Sequence, residues 1–218
     1  MTWDEMAPLL WENTWQTVQM VLWSTLFTAL LGLPLGVALV VSDRGGLLPS
    51  WPLNRVLALV VNVGRSLPFI ILMIAVIPLT RMIVGTTIGT AATVVPLTLG
   101  AAPFFARLVE TSLREVGSDK VQAAHAMGAS RTTIIGKVLL PEAMPGLVAG
   151  LTVTVVALIS YSAMAGAIGG GGLGDLAIRY GYQRFETTLM VITVVVLVVI
   201  VQLVQTLGDT VARRLQRG

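Results

Sequence analysis

The chain has 218 residues, 55% of them hydrophobic and only 11% charged, and its mean hydropathy is +0.86. Soluble domains carry roughly 25% charged residues, so a water-soluble globule is excluded and the chain reads as an all-α integral membrane protein. The net charge of +3 comes from basic residues scattered through loops rather than gathered in a stripe with aromatics, which argues against a nucleic-acid partner, and the lack of cysteine excludes disulfides and thiolate metal sites.

A membrane-crossing helix needs about 20 apolar residues. Residues 1–15 hold Asp4, Glu5 and Glu12 but no Lys or Arg, so they lack the basic start of a secretory signal, and the first span is expected to be retained. No charge occurs between Glu12 and Asp43, and Trp11, Trp15 and Trp23 suit an interface, which places span one at about 17–41. Gly32, Pro34 and Gly36 within it predict a kink or a close helix contact. Span two, about 56–79, is interrupted by Arg65, which is either a functional group in the membrane or a guanidinium snorkelling to the inner interface. Span three, about 88–109, contains Pro96 and Pro103 and is expected to bend, with Glu110 closing it.

Residues 122–141 form the extended polar and basic segment between the two groups of spans. Ser118 is expected to cap a first short helix with Asp119 at its positive end, and Gly128 to terminate it in the left-handed conformation. Ser130 is expected to cap a second helix on which Ile134, Ile135, Val138 and Leu139 share an apolar face, with Pro141 limiting its course. Two short helices joined by a forced turn make a rigid knob outside the bilayer, which suits docking better than chemistry. Span four, about 145–166, carries Tyr161, Ser162 and Met164 and runs into a glycine-rich stretch; span five is the valine-rich 187–208, ending in Arg213, Arg214 and Arg217. Five spans put the ends on opposite sides, and the excess of Lys and Arg in 42–55, 110–144 and the C-terminus assigns those segments to the cytoplasm and the N-terminus to the outside.

Several patterns resemble chemistry. Gly169, Gly171 and Gly174 satisfy G-x-G-x-x-G but follow a membrane span rather than a strand, so an external gate or tight helix packing is expected instead of nucleotide binding. No phosphate-binding G-x-x-x-x-G-K-[ST] sequence exists, so ATP chemistry would belong to another subunit. His125 is the sole histidine, which excludes an all-histidine metal site within one chain and a Ser-His-Asp triad and leaves it to the docking surface or solvent. Glu110 and Glu142 are expected to be solvated helix ends, and no carboxylate cluster occupies the middle of a span, which counts against a proton- or sodium-driven carrier. Tyr161 and Met164 share a helical face at i, i+3, a face that suits either a small amphipathic solute or packing between helices.

The knob also carries a resemblance. Glu-Ala-Ala, three residues, Gly, nine residues, Ile-x-Leu-Pro is the cytoplasmic loop signature of ABC importer permeases, and Ala123, Ala124, Gly128, Leu140 and Pro141 stand at its spacing. Gln122 replaces the Glu, removing a carboxylate, and Val138 replaces the Ile. Gly64 to Leu72, Ile83 to Gly89, Pro96-Leu97-Thr98, Ala101 to Phe104, Leu139 to Ala143 and Tyr161 to Met164 further resemble the permease family of the bacterial methionine ABC importers.

The resemblance implies a type I ABC importer permease fold: one transmembrane permease domain over 1–218, with five transmembrane helices and a cytoplasmic coupling loop at 115–141. It implies a homodimer in the bacterial inner membrane, two ATPase subunits that hold ATP and Mg, and an extracytoplasmic methionine-binding protein. This chain would bind no cofactor of its own and carry no catalytic residue. Gln122, Ala123, Ala124, His125, Met127, Gly128, Leu140 and Pro141 would couple to the ATPase; Tyr161, Ser162 and Met164 would lie near the solute pathway, with Arg65 as a gate or packing element. L-Methionine is the expected solute, with D-methionine or derivatives beside it. A permease for another small solute, or a stand-alone carrier or channel, are the alternatives.

Overall fold

The computed structural model describes residues 2–216, and every regular element among them is helical; Arg217, counted above with the inner basic residues, lies outside them. Helix α1 covers Trp3–Val41, α2 Trp51–Ser66, α3 Phe69–Ala75, α4 Ile77–Val84 and α5 Thr90–Arg114. Then come α6 (Ser118–Ala126), α7 (Arg131–Ile134), a π-helical turn (Ile135–Leu139), α8 (Leu140–Ala165), α9 (Gly172–Leu176) and α10 (Thr187–Gln216). Among the described residues four helices are long and apolar enough to cross a membrane, and α2 with α3 make a fifth, broken span.

Three of the expected spans need correction. Span one is longer than its apolar run: 39 residues of α1 at 1.5 Å each reach about 58 Å, against about 30 Å of hydrocarbon. The surplus turns are held by packing, since Met6 and Leu10 join Leu173, Leu176 and Leu189 in a separate small core. Span two is not one helix: α2 and α3 meet at 107°. The break falls at Leu67, whose φ of −83° and ψ of 128° are the extended values that a following proline imposes. Span four starts earlier than 145, because α7, the π turn and α8 run on without a gap. The Leu140 N–H donates to the Ile135 carbonyl, five residues back, so the wide turn makes room for the ring of Pro141, which has no N–H to lose in the first turn of α8.

Span three runs past Glu110 to Arg114, continuous through Pro96 and Pro103. Helix α1 lies closely along α5: a Cβ on Gly32 would meet Phe105 at 2.9 Å, and one on Gly36 would meet Val109 at 2.6 Å, so these glycines serve close contact rather than a break. Met20, Phe69, Met73, Leu97 and Leu158 build the central core between α1, α3, α5 and α8. Phe105, Val109, Leu113, Leu139, Ala143 and Leu147 build a second core at the end where the knob sits.

Candidate functional site

The knob is a helix, a turn and a helix start, and local chemistry explains each part. Ser118 is the first residue of α6 rather than its cap; Gly117 takes the cap position without a side-chain bond, and Asp119 lies in the first turn, where its charge meets the positive helix end. Gly128 has φ +79°, a value that L side chains resist. There its N–H donates to the His125 carbonyl at 3.0 Å and the Ala129 N–H to the Ala124 carbonyl at 3.1 Å, closing α6. The Ser130 hydroxyl then accepts from the Thr133 N–H at 3.3 Å and starts α7.

The two faces of the knob differ sharply. Ile134 is fully buried and Leu139 is buried in the second core, while α6 buries none of its residues. Gln122, Ala123, His125 and Gly128 are exposed, Met127 is 87% exposed, Ala124 and Leu140 are half-buried and Pro141 is exposed. One side is therefore welded to the membrane helix α8, and the other presents an apolar thioether and small residues to the outside. An ion pair from Lys120 to Glu142 ties the start of α6 to the start of α8. Glu142 is thus paired, although its side chain stays 43% exposed.

Glu110 is a larger departure from the solvated helix end expected above. Its side chain is 8% exposed, taking Arg107 at 2.6 Å and Arg114 at 3.0 Å, and Arg114 continues to Asp43 at 2.7 Å. The guanidinium hydrogen bond from Arg114, aided by the Arg44 N–H, holds the Asp43 carboxyl below the usual carboxylate range. Charge spacing at i−3 and i+4 around Glu110 could have shown the first two contacts; the link to Asp43 spans 71 residues and has no local signal.

At the break between α2 and α3, Gly64, Arg65, Phe69, Gly100, Phe104 and Tyr161 line a cavity of about 270 Å³. The Tyr161 and Phe69 rings stack, with centroids 4.5 Å apart and planes within 7°. Arg65 lies in the last turn of α2 beside the break, is exposed and has no ion pair among the described residues. Tyr161, Ser162 and Met164 do not gather. Ser162 is buried and its hydroxyl donates to the Ile159 carbonyl at 2.7 Å, which satisfies it within the helix. Met164 is 49% exposed and lines a different groove of about 600 Å³, with Ile178, Leu197, Val198, Val201 and Gln202. Phe69, Phe104 and Gln202 were not singled out from the sequence; only Gln202, a polar interruption of a valine-rich run, carries a visible signal.

The glycine-rich stretch is a packed turn. Gly172 N–H donates to Gln16 Oε1 at 2.9 Å and Leu173 N–H to Thr17 Oγ1 at 2.8 Å, pinning the start of α9 to α1. Gly166 and Gly174 let backbone meet backbone, against Asp175 and Ala163 respectively.

Residues 30–217 match the family described as binding-protein-dependent transport system inner membrane component. The chain is 55% identical over 209 residues to a probable D-methionine transport system permease protein, MetI, of Vibrio cholerae, covering 96% of this chain and 93% of that one. It is 44% identical over 208 residues to the methionine import system permease protein MetP of Bacillus subtilis, covering 95% and 94%. Among solved structures, one of inward-facing conformations of the MetNI methionine ABC transporter superposes with a TM-score of 0.96 at 46% identity, over 99% of each chain. An amino acid ABC transporter solved with histidines shares the fold, with a TM-score of 0.79 at 19% identity.

Proposed function

The chain belongs to the family of binding-protein-dependent transport system inner membrane components, and from that membership we propose that it forms the membrane pathway of an ATP-driven methionine importer and couples that pathway to a separate ATPase. It is a transport subunit. The relatives named for methionine transport, matched over nearly their whole length, support methionine as the solute.

The observation that carries the coupling role is the asymmetry of the knob. Its α6 face, from Gln122 to Gly128, is bare, while its α7 face runs without a break into α8. A push on α6 is therefore delivered to a membrane helix. For such a push to drive transport, nucleotide state must change the contact, since a contact equal in both conformations shifts nothing. Two copies of the chain would enclose the pathway, with ATP and Mg on two ATPase subunits and a binding protein delivering solute at the outer face. The distribution of Lys and Arg supports a cytoplasmic knob and an external N-terminus. Gln122 takes the place of the motif carboxylate, so docking here relies on shape and apolar contact more than on an ion pair.

Tyr161, on the central cavity, and Met164, on its own groove, are the pathway candidates, and Ser162 acts by packing. The test is uptake of labelled L-methionine into vesicles holding this chain, its ATPase and the binding protein. Uptake that requires ATP and is competed by methionine alone among amino acids is the expected result. ATP-dependent uptake of another solute overturns the substrate, and uptake by the chain alone overturns the coupling.

A further inference from the structure

Arg65 poses a charge problem that the chain does not solve. Its guanidinium cannot shed its proton, and an arginine deep in a bilayer requires an anion or water. It shares a cavity with Gly100 and Phe104 of the 25-residue α5, so it lies among the membrane-crossing helices and not beyond their ends. Among the described residues it has no ion pair.

No carboxylate of the chain lies at that depth. Glu12, Asp175 and Glu186 stand toward the outer ends of the helices, and Asp43, Glu142 and Asp209 toward the inner ends. Glu110, two turns along α5 from Phe104, already binds Arg107 and Arg114. A second copy related by a two-fold axis along the membrane normal repeats the same depths, so it brings no carboxylate either. A carboxylate partner for Arg65 therefore comes only with something that enters the pathway.

We propose that Arg65 anchors the carboxylate of an amino-acid solute in the cavity beside Phe69 and Tyr161. This inference rests on the methionine-importer reading above and names the part of the pathway that would hold the solute's charged end. Guanidinium matches a carboxylate with two parallel hydrogen bonds. The remaining wall is apolar and aromatic: Leu67, Phe69, Leu72, Phe104 and the stacked Tyr161. At about 270 Å³ the cavity lies just under the range of drug-sized pockets, roughly 300–1,000 Å³, which suits one small amphipathic molecule. Position favours function as well, because Arg65 stands at the 107° break between α2 and α3, where a change in helix angle would open or close its access.

The test uses the assembled permease and ATPase in neutral-lipid nanodiscs, with a methionine analogue carrying a photoreactive diazirine in its side chain. Labelled peptides are located by mass spectrometry, and uptake of labelled methionine is measured in parallel in vesicles that hold the same permease and ATPase together with the binding protein. In the wild-type protein, label is expected on residues 64–72 or on Tyr161, displaced by methionine but about tenfold less well by its methyl ester, which lacks the charge. Arg65→Ala should reduce that label about tenfold or more, and Arg65→Lys should restore part of it. Equal labelling in Arg65→Ala, or equal competition by acid and ester, overturns the anchor; the ester comparison needs no variant and so survives any folding defect. Wild-type uptake with an unlabelled cavity defeats the anchor alone, whereas absence of wild-type methionine uptake defeats the importer reading and the anchor together.

Discussion

The Arg114 guanidinium bridges Asp43, at 2.7 Å, and Glu110, at 3.0 Å, and so ties the loop after α1 to the inner end of α5. Asp43 and Arg114 line a hollow with Val40, Gly46, Leu113, Val121 and Gln122, where the knob leaves the bundle. The knob is thereby mounted on a braced base rather than on a loose loop, which any mechanical transmission between ATPase and membrane helices requires.

The brace is asymmetric, and this fixes the order of two substitutions. Glu110 is 8% exposed, while Arg107 and Arg114 are each 46% exposed. Glu110→Ala leaves two cations that water can reach, so the loss should be about 1–2 kcal/mol, under the 3–5 kcal/mol of a fully buried pair. Removing both cations instead strands a buried carboxylate. The Arg107→Ala, Arg114→Ala double variant should therefore be less stable than Glu110→Ala, measured as melting temperature in detergent by size-exclusion chromatography. The reverse order would show that Glu110 is not held by charge.

Asp43 gives the same brace a pH signature. Its carboxyl is held below the ordinary aspartate value of 3.8 by the Arg114 hydrogen bond. A depressed folded value means the unfolded chain binds a proton first, so the contribution is full above the usual aspartate range and is lost as pH falls through the lower folded value. Asp43→Asn should therefore be destabilised relative to wild type near pH 7, with the gap closing below about pH 4. A gap that persists unchanged in acid would remove Asp43 from the brace.

The sequence was most informative where the signal is local. Gly128 announced a left-handed turn and Ser130 a cap, and both residues behave so, because turn and cap chemistry is settled within four residues. Pro68 carried the break of the second span just as plainly: its ring dictates the extended Leu67, yet apolar length over 56–79 spoke for a single span. Helical spacing put Tyr161 and Met164 on one face, but the helices packed against α8 divide that face between two cavities, and no spacing rule shows what packs there. The burial of Glu110 was hidden for a similar reason, since its partner's second contact comes from a loop 71 residues from Arg114.

Gly172 allows a sharp test of the packed glycine turn. Its φ is +75°, and a Cβ there would stand 2.6 Å from Thr17 Oγ1 and 2.7 Å from Met20 Cε. A left-handed non-glycine residue alone costs about 1–3 kcal/mol, and the clash adds to it by pushing on the Thr17 contact that holds Leu173. Gly172→Ala should lower the melting temperature and increase protease cleavage between α8 and α10. Gly136→Ala, where a Cβ meets nothing within 4 Å, is the control and should be neutral or stabilising by up to about 1 kcal/mol. Equal behaviour of the two variants would mean that the turn is not packed as described.

The absence of cysteine makes the proposed coupling surface directly measurable, because a single introduced thiol is the sole maleimide target in the chain. Met127 is 87% exposed at the tip of the knob, and Tyr182, 70% exposed, follows α8 and α9 at the opposite end of the bundle. With a membrane-impermeant maleimide, Met127→Cys should react in inside-out vesicles and stay silent in intact cells, while Tyr182→Cys does the opposite. Adding the ATPase should slow the Met127→Cys reaction about tenfold, since docking that excludes the thiol nine-tenths of the time is worth only about 1.4 kcal/mol, well within reach of one apolar contact surface. The Tyr182→Cys reaction should not change. Protection of Tyr182→Cys instead would invert the orientation in the membrane, and an unprotected Met127→Cys in a complex shown to be assembled would take the 122–128 face out of the docking surface.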